Sequence, residues 1–126
     1  MDSVRDRIRG ALLLIAGVIE SPGIFGEGDA FWVNGKQIGN RRSEHEIELR
    51  LTKAVIRTHR DRLSADGRVR LRRSSDWVTI TVAGTSDVPL VEELAELAAR
   101  AHRPADGAPE KPPPVGAELA RRRRFH

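Results

Sequence analysis

Apolar residues recur at spacings of three and four through Val4, Ile8, Ala11, Leu12, Ile15 and Ile19, which predicts an amphipathic helix over residues 3–20. Ser3 with Asp6 three positions later forms a capping-box-like start, with Asp in place of the usual Glu or Gln. Ser21-Pro22-Gly23 is expected to end this helix, because proline disfavours helical geometry in the residue before it. The period then changes. Residues 30–33 and 36–39 flank Asn34-Gly35, a dipeptide that tolerates the two positive φ angles of a type I′ hairpin turn. The polar residues 41–45 read as a loop or bulge. Residues 46–51 alternate, with Ile47, Leu49 and Leu51 against Glu46, Glu48 and Arg50, the pattern of a half-buried strand.

Thr52 reads as the N-cap of a second helix over residues 54–63, with Val55, Ile56, His59 and Leu63 as its inner stripe and Asp66-Gly67 closing it. Val69 and Leu71 alternate with Arg68, Arg70 and Arg72. After a turn at Ser74-Ser75-Asp76, Val78, Ile80 and Val82 alternate with Trp77, Thr79 and Thr81. Ser86 or Asp87 caps a last helix that tolerates Pro89 in its first turn. Leu90, Leu94, Leu97 and Ala101 line its core face, supported by Val91 and Ala98.

The order α-β-β-β-α-β-β-α with short turns requires antiparallel pairing. The expected fold is therefore α+β, a single antiparallel sheet covered by helices, with the alternating apolar side chains buried together. Residues 1–104 make up that domain. Residues 103–116 hold five prolines and almost no large apolar side chain. Such a segment buries too little surface to offset its ordering entropy, so residues 105–126 are expected to be a disordered, basic tail.

At 126 residues the chain is too short for a TIM barrel, which needs ~200 residues, or for a two-domain adenylating enzyme. The absence of cysteine excludes a disulfide framework, a thiolate nucleophile and cysteine-bound zinc or iron–sulfur centres. The longest apolar run, residues 11–19, is far short of the ~20 residues that span a bilayer, so no membrane partner is expected. Arg5, Arg7 and Arg9 precede that run as in a signal peptide, but Asp2 and Asp6 dilute them and no small-residue cleavage site follows. We expect a cytoplasmic protein. The net charge of +4 invites a nucleic-acid reading, yet residues 103–126 hold six basic and three acidic residues, leaving 16 and 15 in the body. Nucleic-acid binding is therefore expected to be weak, nonspecific and centred on the tail.

Candidate chemistry is sparse. Gly23, Gly26 and Gly28 lack the Lys-Ser/Thr and the strand-to-helix frame of a phosphate loop, so a tight turn is their expected role and no cofactor is implied. His45, His59, His102 and His126 do not form a metalloprotease pattern, and no metal is expected. Ser74, Ser75 and Asp76 belong to a turn rather than to a recognisable triad. The Glu46, Glu48, Arg50 and Arg68, Arg70, Arg72 faces are read as pairing across the sheet. The competing reading is a polar sheet surface for an anionic partner, with Trp77 its one available aromatic. The candidate interaction surface is thus Arg68, Arg70, Arg72 and Trp77, together with Arg121, Arg122, Arg123 and Arg124 of the tail.

Phe31-Trp32-Val33-Asn34-Gly35, Leu49-Arg50-Leu51-Thr52, Asp66-Gly67-Arg68-Val69 and Ser74-Ser75-Asp76-Trp77-Val78 occur in this order, before a helix closing in Ala101-His102-Arg103-Pro104. Over residues 4–104 this order and spacing resembles small bacterial proteins of the luciferase-domain family. The element order is also similar to the double-wing fold of MmcQ/YjbR-like proteins. The resemblance implies a compact α+β domain without an established molecular activity. Relatives place a histidine shortly after the second hairpin strand, where this chain has Asn40, so no catalytic residue carries over. Neither light emission nor tight flavin binding is expected. The reading is a non-catalytic binding or protein-interaction domain with an unknown protein or small-molecule partner. The alternatives are a small enzyme with an unrecognised ligand pocket and a nonspecific nucleic-acid binder.

Overall fold

Strands β1 (Ile19–Glu20), β2 (Ala30–Val33), β3 (Lys36–Ser43), β4 (Glu46–Arg50), β5 (Val69–Leu71) and β6 (Trp77–Thr81) pair antiparallel in the order β1-β2-β3-β4-β6-β5. They come from a computed structural model that describes residues 3–25 and 28–125. Asn34 and Gly35 turn the β2–β3 hairpin with φ of 50° and 74°, the left-handed pair that the dipeptide was expected to supply. The alternation then decides the faces. Ile47, Leu49, Leu51, Val78, Ile80 and Val82 are all buried in one core with Phe31, Val33 and Ile38. Removing each such side chain from water contributes roughly 1.5–3 kcal/mol.

Helices α1 (Val4–Leu13), α2 (Lys53–Thr58), α3 (Arg60–Ala65) and α4 (Val88–His102) cover that face. The Ser3 hydroxyl accepts the Asp6 N–H and the Thr52 hydroxyl accepts the Val55 N–H, as expected, whereas Asp87 at the start of α4 makes no side-chain cap bond and accepts instead from the Ala83 and Gly84 N–H groups. Leu90, Val91, Leu94, Ala95, Ala98 and Ala99 of α4 are buried, while Ala101, expected on this face, is exposed.

Three expectations change. The first helix ends at Leu13 rather than near Glu20, because Leu14 and Ile15 bond to carbonyls three residues back and Gly17 takes φ of 87°. The freed Ile19 and Glu20 then pair with Trp32 and Phe31 as an edge strand. The helix expected over residues 54–63 is two helices broken at His59, where the Thr58 hydroxyl donates to the Ala54 carbonyl and bends the chain. The polar stretch after Asn40 is partly strand, with a register shift between Arg41 and Ser43.

The tail also departs from the expectation of disorder. It ends in α5 (Gly116–Arg124), whose Leu119 is buried. The Asn34 side chain accepts the Lys111 N–H, and the Arg122 and Arg123 guanidiniums donate to the Gly35 and Gly23 carbonyls. The prolines hold the chain extended as it crosses the hairpin turn, and the arginines then cap carbonyls that the sheet leaves open. This strap reaches the second face of the sheet, which carries Trp32, Gln37, Glu48, Arg50, Trp77 and Thr79.

Candidate functional site

Arg68, Arg70 and Arg72 do not lie free on the sheet. Because β6 separates β5 from β4, Arg70 and Arg72 reach diagonally across it to Glu46 (3.2 Å) and Glu48 (2.8 Å). Arg68 forks onto Asp66 (2.8 Å) and Asp87 (3.0 Å). Hydrogen bonds from the Arg68 side chain, then from its backbone N–H, hold the Asp66 carboxyl down at about 2 against an ordinary 3.8. Asp87 is lowered too, by Arg68 first and then by the Ala83 N–H. Carboxyls depressed on folding stabilise fully above their unfolded value, and that stability is lost as pH falls through the folded one. The midpoint of thermal unfolding should therefore fall between about pH 4 and pH 2. Arg68→Gln should flatten that limb; an unchanged acid profile would show that the fork does not govern it.

In the tail, Arg121 and Arg122 pair with Glu118, Arg123 bonds to the Gly23 carbonyl, and Arg124 has no partner among the described residues. The structure thus does not gather the eight sequence candidates. Trp77 and Arg122 meet on the second face; Arg68, Arg70 and Arg72 are engaged elsewhere.

Trp77 and Arg122 line a cleft of about 310 Å³ at the end of the sheet, together with Phe25, Trp32, Lys36 and Arg50. Each part has a local reason. The register opposes Trp32 to Gln37 and Arg50 to Trp77, so these four share one face. Gln37 then fastens the loop over residues 21–25, accepting the Ile24 N–H (2.8 Å) and donating to the Gly39 carbonyl. Gly23 is required for that approach, since a Cβ there would lie 2.7 Å from Ala30 Cβ. Of the other two glycines of this loop, Gly28 takes φ of 123° and Gly26 lies outside the described residues. The Trp32 indole N–H donates to the Ser21 carbonyl (3.2 Å), and Phe25 meets Trp77 edge to face at 5.5 Å between centroids.

The electrostatics are unusual for so small a space. Arg50, Lys36 and Arg122 border the cleft, and among the described residues no acidic side chain lines it. Arg50 Nε is buried without a hydrogen-bond partner among the described residues. Its Nη2 stands 3.7 Å from Asp76 Oδ2, beyond hydrogen-bond range, while Asp76 Oδ1 accepts the Lys53 N–H. Nearby His102 is held below its ordinary value by half-burial, opposed by its bond to the Ala98 carbonyl and reinforced by the positive field of Arg50 and Lys36. Chemically the cleft offers the accessible rings of Phe25 and Trp77 and an incompletely satisfied guanidinium fork.

Residues 35–98 match the family described as Luciferase domain, which is about half of the chain. The chain belongs to that family. No curated protein and no solved structure matches it. Within the luciferase-domain match lie Lys36, Gln37, Arg50 and Trp77; Phe25, Trp32 and Arg122 complete the cleft from outside it. Asn40, at the position where the resemblance implies a histidine, is buried and donates to Glu48 Oε1 at 3.4 Å. Among the described residues, no group of three or more histidines or carboxylates could hold a metal ion, and no helix is long and apolar enough to cross a membrane.

A larger concavity, about 730 Å³, lies beside α1 and the start of β2. Its cations are already engaged, Arg5 with Asp29 at 2.9 Å, Arg9 with Glu20 at 2.7 Å and Arg123 with the Gly23 carbonyl, which leaves it little to offer an anionic ligand. Sequence reasoning left Phe25, Trp32 and Lys36 out of the candidate surface and weighed Arg50 only as part of the Glu46, Glu48, Arg50 face. The available signal for Arg50 was its place on the polar side of an alternating strand; the structure sets it directly opposite Trp77.

Proposed function

We propose that this luciferase domain is a non-catalytic binding domain that holds a small planar organic anion in the cleft between Phe25, Trp77 and Arg50, above the buried Trp32. The observation that carries this reading is the buried, unpartnered Arg50 Nε beside aromatic walls. A buried donor left unsatisfied costs about 1–3 kcal/mol, and a carboxylate or phosphate edge would accept from Nε and a terminal nitrogen together. Flat rings then supply apolar contact for the body of the ligand. The cleft's 310 Å³ stands at the small end of ligand pockets, which suits a single-ring compound.

Both tryptophans of the chain border the cleft, so intrinsic fluorescence reports on it directly. Titration with benzoate, cinnamate and phenyl phosphate should give a saturable change. Arg50→Met keeps an unbranched apolar stem and removes the fork, and should weaken binding by about 10–100-fold. Ligand charge beside Arg50 and Lys36 should also raise the His102 titration midpoint toward its ordinary value. Equal affinity in Arg50→Met, or no saturable change with any of the three anions, would reject the site.

A further inference from the structure

Lys53 and Arg57 of α2, Arg60 of α3, and Arg72 and Arg73 of the β5–β6 turn line a second cleft of about 500 Å³. Arg72 is committed to Glu48 at 2.8 Å. The other four make no ion pair and no side-chain hydrogen bond among the described residues. Among the described residues no acidic side chain lines the cleft.

This is out of keeping with the rest of the molecule. Arg5, Arg9, Arg41, Arg62, Arg68 and Arg70 all have a carboxylate partner. The body's basic and acidic residues nearly balance, so four unpaired cations in one concavity are a local concentration rather than a reflection of composition. Mutual repulsion disfavours such a grouping unless something neutralises it. Arg57, Arg60 and Arg73 each keep a full set of guanidinium donors, the geometry that suits phosphate oxygens.

The shape and lining narrow the ligand. A cleft of this volume accepts a compact polyanion, and its floor holds only Ile56 and Leu71, without an aromatic ring to stack a nucleobase. Its residues all fall within the family match at 35–98, and none belongs to the aromatic cleft, so the inference stands apart from the function proposed above. We propose that this cleft binds a compact polyphosphate group, whether free or carried by a nucleotide.

The test is calorimetric titration of the full chain with tripolyphosphate at low salt. We expect one site per chain, weakened at least tenfold by Arg57→Ser with Arg60→Ser. Arg121→Ser with Arg124→Ser removes equal charge from the tail and should change affinity less than twofold. Both pairs are solvent-exposed, and their melting temperatures verify that the fold is kept. Adenosine triphosphate binding within threefold of tripolyphosphate would assign the phosphate chain alone as ligand. Tighter binding of the nucleotide, lost in the same cleft variant, would assign a nucleoside triphosphate. Undetectable tripolyphosphate binding overturns the proposal, as does equal loss in the tail variant. A single-stranded oligonucleotide that binds more tightly than tripolyphosphate and depends on the same arginines would overturn it in favour of a nucleic-acid surface.

Discussion

Trp32→Ala should lower the stability of the domain by about 3–5 kcal/mol, the range for deleting a large buried aromatic side chain. Trp32 is 1% exposed and its indole N–H is satisfied by the Ser21 carbonyl, so truncation removes packing and leaves an acceptor unpaired. It also lies on the face where the loop over residues 21–25 crosses the sheet, with little chain able to collapse into the void. For a domain of this length the thermal midpoint should fall by about 10 °C or more. Trp77 makes the contrast. It is half-buried and its ring contact is with the exposed Phe25, so Trp77→Ala should cost under about 2 kcal/mol. Urea unfolding of the two variants measures the difference. Equal losses would make Trp77 a structural residue and remove it as a ligand wall.

The contrast between these two tryptophans reflects how far the fold and the cleft could be read from the sequence. The strands were legible wherever alternation was strict, because one face of each meets the helices and the other does not. Ile47, Leu49, Val78 and Ile80 are the plainest cases, and all are 1% exposed or less. Asn34-Gly35 was legible because its backbone preference is local. What escaped depends on distant partners. Ile19 and Glu20 become strand only because Phe31 and Trp32 offer an edge. Leu119 gives the tail a point of attachment, and Asn34, Gly35 and Gly23 give it hydrogen-bond partners, none of them near it in sequence.

The aromatic cleft escaped for the same reason. Phe25, Trp32, Lys36, Arg50, Trp77 and Arg122 come from six separate places along the chain, and no spacing rule joins them. The cationic cleft was closer to reach. Lys53, Arg57 and Arg60 follow one another at intervals of four and three, the spacing of one face in an unbroken helix, and the structure keeps all three in the cleft across the break at His59. The sequence drew attention instead to Arg68, Arg70 and Arg72, where alternation was cleaner, and pairing with Asp66, Glu46 and Glu48 neutralises those.

Glu48 shows what that neutralisation is worth. Its carboxylate is buried on the second face of the sheet and is met by Arg72 at 2.8 Å, Arg42 at 3.4 Å and the Asn40 amide at 3.4 Å. Both arginines are at least half exposed, so water solvates them readily once released, whereas the carboxylate has no such recourse. The cost of breaking the cluster should therefore depend on which side is removed. Arg42→Ser with Arg72→Ser strands a buried charge and should cost about 3 kcal/mol, at the lower end for a severed buried pair because Asn40 remains. Glu48→Gln alone keeps an acceptor and frees only exposed cations, and should cost about 1 kcal/mol. Adding Glu48→Gln to the double arginine variant should then restore about 2 kcal/mol, since a neutral amide needs no counter-charge. Urea midpoints of the four chains at neutral pH decide the matter. If the arginine variant stays within 1 kcal/mol of the parent, or if the added Glu48→Gln destabilises it further, the cluster is a solvated surface network and Glu48 is not a buried anion held by its cations.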